Sequence, residues 1–238
     1  MRLKMSDYNN NLLRGKHAPF LDDIQQRYLG FEQNALASKY SVFLKKAKSE
    51  AEMHYFLETN PALLPGLYDL HNGPLGNVVI SKLPLANDYV TDFAFISINS
   101  AVSQITLIEI ESPTMRIFRN TDDLFSSKFN QALQQVRDWA LWVEQNTTFM
   151  KDLFRNIYFR QVFRNQKIVT RTILVAGKRG EIQNSPQREK RWAGLNQSSG
   201  PIVMSYDRLG ETFFLNPSLL HDLVCKPANE ISKIIRHR

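Results

Sequence analysis

Between Asn77 and Glu111 the chain abandons helical spacing for three short runs rich in Val, Ile, Phe and Thr, and this change of period restricts the possible folds more than any other feature. The runs are Asn77 to Leu85, Tyr89 to Ile98 and Gln104 to Glu111. Ala86-Asn87-Asp88 and Asn99-Ser100 separate them, so they read as three consecutive strands in a meander. Apolar spacing is helical on either side. Leu21, Ile24, Tyr28, Phe31, Leu36, Tyr40, Phe43 and Leu44 mark helix from Pro19 to about Lys48. Ser49 with Glu52 is a capping box opening a second helix, which ends before Asn60-Pro61.

Pro113 stops the third strand, and a long helix is expected from about Thr121 to Glu144. A further helix over Lys151 to Gln161 and a strand over Lys167 to Ala176 follow. Gly177 to Gly200 reads as a mobile polar loop, Pro201 to Tyr206 as a last strand, and the chain from Asp207 as a helical tail. Met1 to His17 reads as a mobile arm. The expected fold is α/β, with core order helix, three-strand meander, helix, two strands. Residues 1–48 form an N-terminal arm and helices, and residues 49–238 the main domain with its helical C-terminal tail.

The central strands carry acids. Side chains alternate across a strand, so Glu109 and Glu111 share a face with Leu107, while Ile108 and Ile110 point into a core. Asp92 is a third acid on the neighbouring strand, beside Phe93 and Phe95. Like charges this close raise one another's pKa or need a cation between them. One account is a sheet with a solvated face on which these acids simply lie. The other is a carboxylate cluster suited to a hard divalent ion, which polarises a phosphoryl oxygen and activates water.

The order of elements, with Asp on the second strand and Glu-x-acid on the third, resembles the PD-(D/E)XK nuclease superfamily, and more narrowly the catalytic domain of the Shedu antiphage-defence nucleases. The segments that carry the resemblance are Phe56 to Leu64, Thr91-Asp92-Phe93, Leu107 to Pro113, Gln131 to Trp139 and Val203 to Asp207. The resemblance implies a restriction-endonuclease-like core and a metal-dependent DNA endonuclease acting in antiphage defence. Asp92 and Glu109 would hold Mg²⁺ or Mn²⁺, Glu111 would assist, and Gln135 would point toward the site. It also implies a homo-oligomer. Glu111 stands where the superfamily pattern has lysine, and a carboxylate cannot supply positive charge. Lys82 and Lys128 are candidates for a relocated lysine; without one, the fold would be a catalytically inactive module that binds DNA or a protein partner.

The formal charge of +7 favours polyanionic partners such as DNA. Two basic stretches could contact phosphates: Arg155, Arg160, Arg164, Lys167 and Arg171, with Phe154, Tyr158, Phe159 and Phe163 interleaved, and Lys178, Arg179, Arg188, Lys190 and Arg191 with Trp192 in the polar loop. Cys225 is the only cysteine, which excludes an intrachain disulfide and a cysteine-based zinc site; in the expected tail helix it reads as inert packing. His17, His54, His71, His221 and His237 show no metal-ligand spacing, and no Walker A, GxGxxG or GxSxG pattern occurs, so no nucleotide cofactor is evident. With no signal-peptide core and no apolar run of membrane-spanning length, the expected location is the cytoplasm.

Overall fold

In the computed structural model, which describes residues 23–67, 69–70, 73–158, 166–197, 200–212 and 223–236, the expected change of period becomes a change from helices to a six-stranded sheet. The chain runs α1 (Asp23–Lys46), α2 (Glu50–Thr59), β1 (Val78–Ser81), β2 (Pro84–Leu85), β3 (Tyr89–Val90), β4 (Phe93–Ile98), β5 (Val102–Ile110), α3 (Ser127–Gln145), α4 (Thr147–Tyr158) and β6 (Lys167–Val175). After β6 come α5 (Arg179–Ile182), α6 (Pro186–Leu195), β7 (Ile202–Met204), α7 (Tyr206–Thr212), β8 (Val224–Pro227) and α8 (Ala228–Arg236). The sheet order is β7-β6-β5-β4-β1-β8, and β2 and β3 form a separate two-stranded ribbon.

β1, β4 and β5 are the expected meander, antiparallel to one another, with Phe93 opposite Ile108 and Ala94 opposite Leu107. β6 then joins β5 in parallel after the α3–α4 crossover, and β7 continues in parallel beside β6. Both faces of the sheet are covered. Ile80, Ala94, Ile96, Leu107 and Leu174 pack beneath Phe129, Val136 and Trp139 of α3. Val79, Phe93, Phe95, Ile108, Ile110 and Ile173 pack on the other face against Tyr40, Met53, Leu57 and Tyr206 from α1, α2 and α7. Continuous apolar runs such as β4 and β5 are what a sheet buried on two sides requires. A solvated sheet face carrying the acids is therefore ruled out.

Five expectations need correction. The first expected strand breaks at Lys82, whose φ of 49° lies in the left-handed region, so β1 and β2 are separate. The second breaks at Thr91-Asp92, which places Asp92 just ahead of β4 rather than within a strand. The long helix begins at Ser127, with Ser126 as its cap accepting from the Phe129 amide, because Asp123 takes φ 55° and turns the chain first. The supposed mobile loop contains α5 and α6; Ser185 caps α6 and Pro186 occupies its first turn. The tail contains strand β8, which pairs in parallel with β1, so Cys225 lies in a strand and not a helix.

The arm over residues 1–17 and Leu21 lie outside the described residues, as do Phe159, Arg160, Phe163, Arg164, His17, His71, His221 and His237. The capping box at Ser49 and Glu52 is present, with the Glu52 carboxylate accepting from the Ser49 amide at 2.8 Å. No helix among the described residues is long and apolar enough to cross a membrane.

Candidate active site

The strand directions bring the acids to one end of the sheet. That end holds the C-terminal ends of β1, β5 and β6 and the start of β4, so Lys82, Asp92 and Glu109 to Glu111 meet there. Open α/β sheets commonly bind ligands beyond the carboxyl ends of their parallel strands.

Asp92 is 3% exposed and fully engaged. One carboxylate oxygen, Oδ2, accepts from the Ile110 amide at 2.8 Å, tying the break before β4 to the end of β5. The other, Oδ1, accepts from the Lys82 ammonium and lies 3.9 Å from His54 Nε2. The left-handed backbone at Lys82 makes this reach possible. The Lys82 amide donates to the Asp92 carbonyl at 2.9 Å and Thr91 donates to the Leu83 carbonyl at 2.9 Å, so the ladder resumes around the kink. Strained non-glycine residues of this kind concentrate at functional sites.

Glu109 projects toward α3, where Gln135 Nε2 donates to its Oε1 at 2.8 Å. Burial raises the Glu109 pKa to about 10, aided by the neighbouring Asp92 charge and a hydrogen bond to Asp92, then by Glu111 and Glu50. Burial and the neighbouring acids thus favour the protonated form of Glu109. Glu111 is raised to about 7 by burial and by the charges of Glu50 and Asp92, with Lys128 pulling the other way. Glu50 is also raised, by burial and by Asp92. Four acids thus press on one another, offset in part by the charge of Lys82 on Asp92 and Glu50 and of Lys128 on Glu111.

The structure brings together Asp92, Glu109, Glu111 and Gln135, all anticipated from the sequence, and places both candidate lysines nearby. It adds Glu50 and His54, which sequence reasoning missed. Both lie on α2 four residues apart, hence on one helical face. His54 stacks on Phe93 at 4.6 Å, and its Nε2 is buried without a hydrogen-bond partner. The i, i+4 spacing was visible in the sequence, but only the packing of α2 on β4 turns that face toward Asp92. Glu52, on the same helix, is taken up by its capping box and is not part of the cluster. Among the described residues, no group of three or more His, Cys, Asp or Glu side chains is arranged to hold a metal ion.

The basic segments fare differently. Arg188 is buried, donating to Asp123 at 2.6 Å and stacked 5.2 Å from the centre of Phe118. It holds the turn after β5 in place and is not a free contact for phosphate. Lys178 donates to the Leu44 carbonyl, Arg171 pairs with Asp69, and Arg155 pairs with Asp152. Lys190 and Lys167 are exposed.

The fold and site define a mixed α/β protein with an acidic centre at one end of a sheet covered on both faces. The family model for the C-terminal part of the Shedu protein SduA matches residues 47–209. The chain belongs to the Shedu family. A search of curated proteins finds no match.

Proposed function

We propose that the protein is a metal-dependent DNA endonuclease with a restriction-endonuclease-like, PD-(D/E)XK core, acting as an antiphage-defence effector and assembling as a homo-oligomer. The observation that carries this reading is the meeting of Asp92, Glu109 and Glu111 at one end of the sheet, with Gln135 bonded to Glu109 and Lys82 to Asp92. Uncompensated carboxylates at a sheet end are costly, and a divalent cation offsets them. The donor set fits Mg²⁺ or Mn²⁺: it is made of carboxylate oxygens, and Mg²⁺ commonly binds through one or two carboxylates and keeps several waters. Two protein ligands, Asp92 and Glu109, suffice for that mode. When bound, the ion would polarise a phosphoryl oxygen and favour hydroxide over water.

The remaining work falls to side chains. Gln135 orients Glu109 through its amide. Glu111, with a midpoint near 7, is suited to take a proton from the attacking water near neutral pH. Lys82 stands where its half-exposed ammonium can offset phosphate charge, which supplies the cation missing from the Glu111 position.

The test incubates supercoiled and linear DNA with the protein in Mg²⁺, Mn²⁺ or EDTA, beside Asp92→Asn and Glu109→Gln. Metal-dependent nicking or cutting, abolished in both variants, is expected. Salt-sensitive DNA binding that is equal in all three proteins, without cleavage, would replace this reading with a DNA-binding module that has lost catalysis.

A further inference from the structure

The last residues of α1 are tied to the acidic centre by a chain of buried hydroxyls. Tyr206, fully buried at the start of α7, donates from its hydroxyl to the Glu111 carbonyl at 2.5 Å. Its own carbonyl accepts from the Tyr40 hydroxyl at 2.6 Å, and Tyr40 is 2% exposed on α1. The Glu111 amide meanwhile donates to the Val175 carbonyl at 2.9 Å. Both backbone groups of Glu111 are thus fixed, one by β6 and the other by Tyr206. Burial raises both tyrosine hydroxyls above their usual range, so each is a protonated donor at any working pH.

A second set of contacts runs alongside. The last carbonyls of a helix have no partner within it and must find one elsewhere. Here Leu44 accepts from Lys178 Nζ at 2.9 Å. Just past the helix, the Lys48 carbonyl accepts from Ser112 Oγ at 2.8 Å and from Thr114 Oγ1 at 2.9 Å. The donors at Ser112 and Thr114 belong to the turn that begins at Glu111. Gly210 lets α7 press onto the Tyr40 ring, because a Cβ there would stand 3.3 Å from it. The end of α1 is therefore bonded to the site turn directly, and again through α7.

From this double attachment we infer that Tyr40 and Tyr206 are positioning residues, a series relay by which the N-terminal helix sets the backbone at Glu111. The functional consequence rests on the nuclease reading above; the mechanical coupling does not. The two hydroxyls bond backbone carbonyls, and neither takes part in bond making. Moving α1 at its C-terminal end shifts the Tyr206 carbonyl, then the Tyr206 hydroxyl, then the carbonyl of Glu111. Whatever engages the N-terminal segment can thereby alter where the Glu111 carboxyl stands relative to Asp92 and Glu109.

The experiment uses the full chain with Tyr40→Phe, Tyr206→Phe, both together, and Tyr55→Phe on an exposed tyrosine as control. Each change removes only a hydroxyl. Amide hydrogen exchange over residues 109–115 and DNA cleavage are measured side by side. Tyr40→Phe and Tyr206→Phe are expected to speed exchange there about tenfold, the equivalent of one buried hydrogen bond. They are expected to lower kcat by about the same factor and leave KM nearly unchanged. Because the links act in series, the double variant should match Tyr206→Phe alone. Exchange that accelerates only in α1 and α7, with residues 109–115 unaltered, overturns the relay, as do effects that multiply in the double variant. A parent protein that cuts no DNA while its exchange pattern follows the relay defeats the nuclease reading alone.

Discussion

Replacing Glu109 with Gln should make the metal-free protein more stable, and more so as pH rises. In the folded chain Glu109 titrates near 10, against an ordinary value of 4.5. Between those values the native state holds a proton that the unfolded chain has released, so stability falls with rising pH. The contribution is intact below about pH 4.5 and declines until about pH 10. At pH 7 the gap is roughly 2.5 pH units, a ceiling of about 3 kcal/mol at 1.36 kcal/mol per unit. Glu109 is partly exposed and shares its repulsion with Asp92, so about 2 kcal/mol is the working figure. Glutamine mimics the protonated acid, because its carbonyl can accept from Gln135 and its amide can donate to Asp92. Urea unfolding of parent and variant in EDTA from pH 4 to pH 9 measures the difference. At pH 7 the thermal midpoint should rise by roughly 4–8 °C, and the gain should vanish near pH 4. A variant no more stable than the parent at pH 8, or a gain independent of pH, would show that Glu109 is not held protonated by its surroundings.

Three further perturbations test other parts. Lys82→Met should reduce DNA cleavage by about 100-fold or more while leaving DNA binding largely intact, as seen by comparing cleavage rates with a salt-titrated binding curve. Gly177→Ala should destabilise by about 1–3 kcal/mol in urea unfolding, since Gly177 has φ 61° and an added Cβ would lie 2.8 Å from the Ile117 side chain. Ser49→Ala removes the cap of the helix that carries Glu50 and His54, and should cost about 1 kcal/mol by the same assay.

The parts of the fold legible in the sequence were those fixed by side-chain period alone. β5 and β6 are long, β-branched and flanked by turn residues, and α3 carries a regular stripe from Phe129 to Val143. The acids at 92, 109 and 111 stood out because charge is rare in such runs. What stayed hidden depends on single backbone torsions or on distant partners. Nothing about Lys82 announces φ 49°; the break exists because the kink is closed by bonds to Leu83 and Asp92. α6 is too polar to show a stripe, and its stability comes partly from Arg188 docking on Asp123, more than sixty residues earlier. Ser185-Pro186 was a readable helix start that the surrounding Gln, Asn and Arg obscured. β8 is a four-residue edge strand, recognisable only once β1 offers it a free side.

That pairing of β1 with β8 has a consequence for how the protein comes off the ribosome. Val78 and Val224 lie roughly 150 residues apart, and closing so long a loop is slow compared with local helix formation. The strand that delivers Lys82 thus keeps an unpaired edge until the segment around Val224 has been made. Glu111 likewise waits for Tyr206 before its carbonyl has a donor. The backbone at Glu111 is therefore fully bonded only once Tyr206 has been made and has folded back onto it.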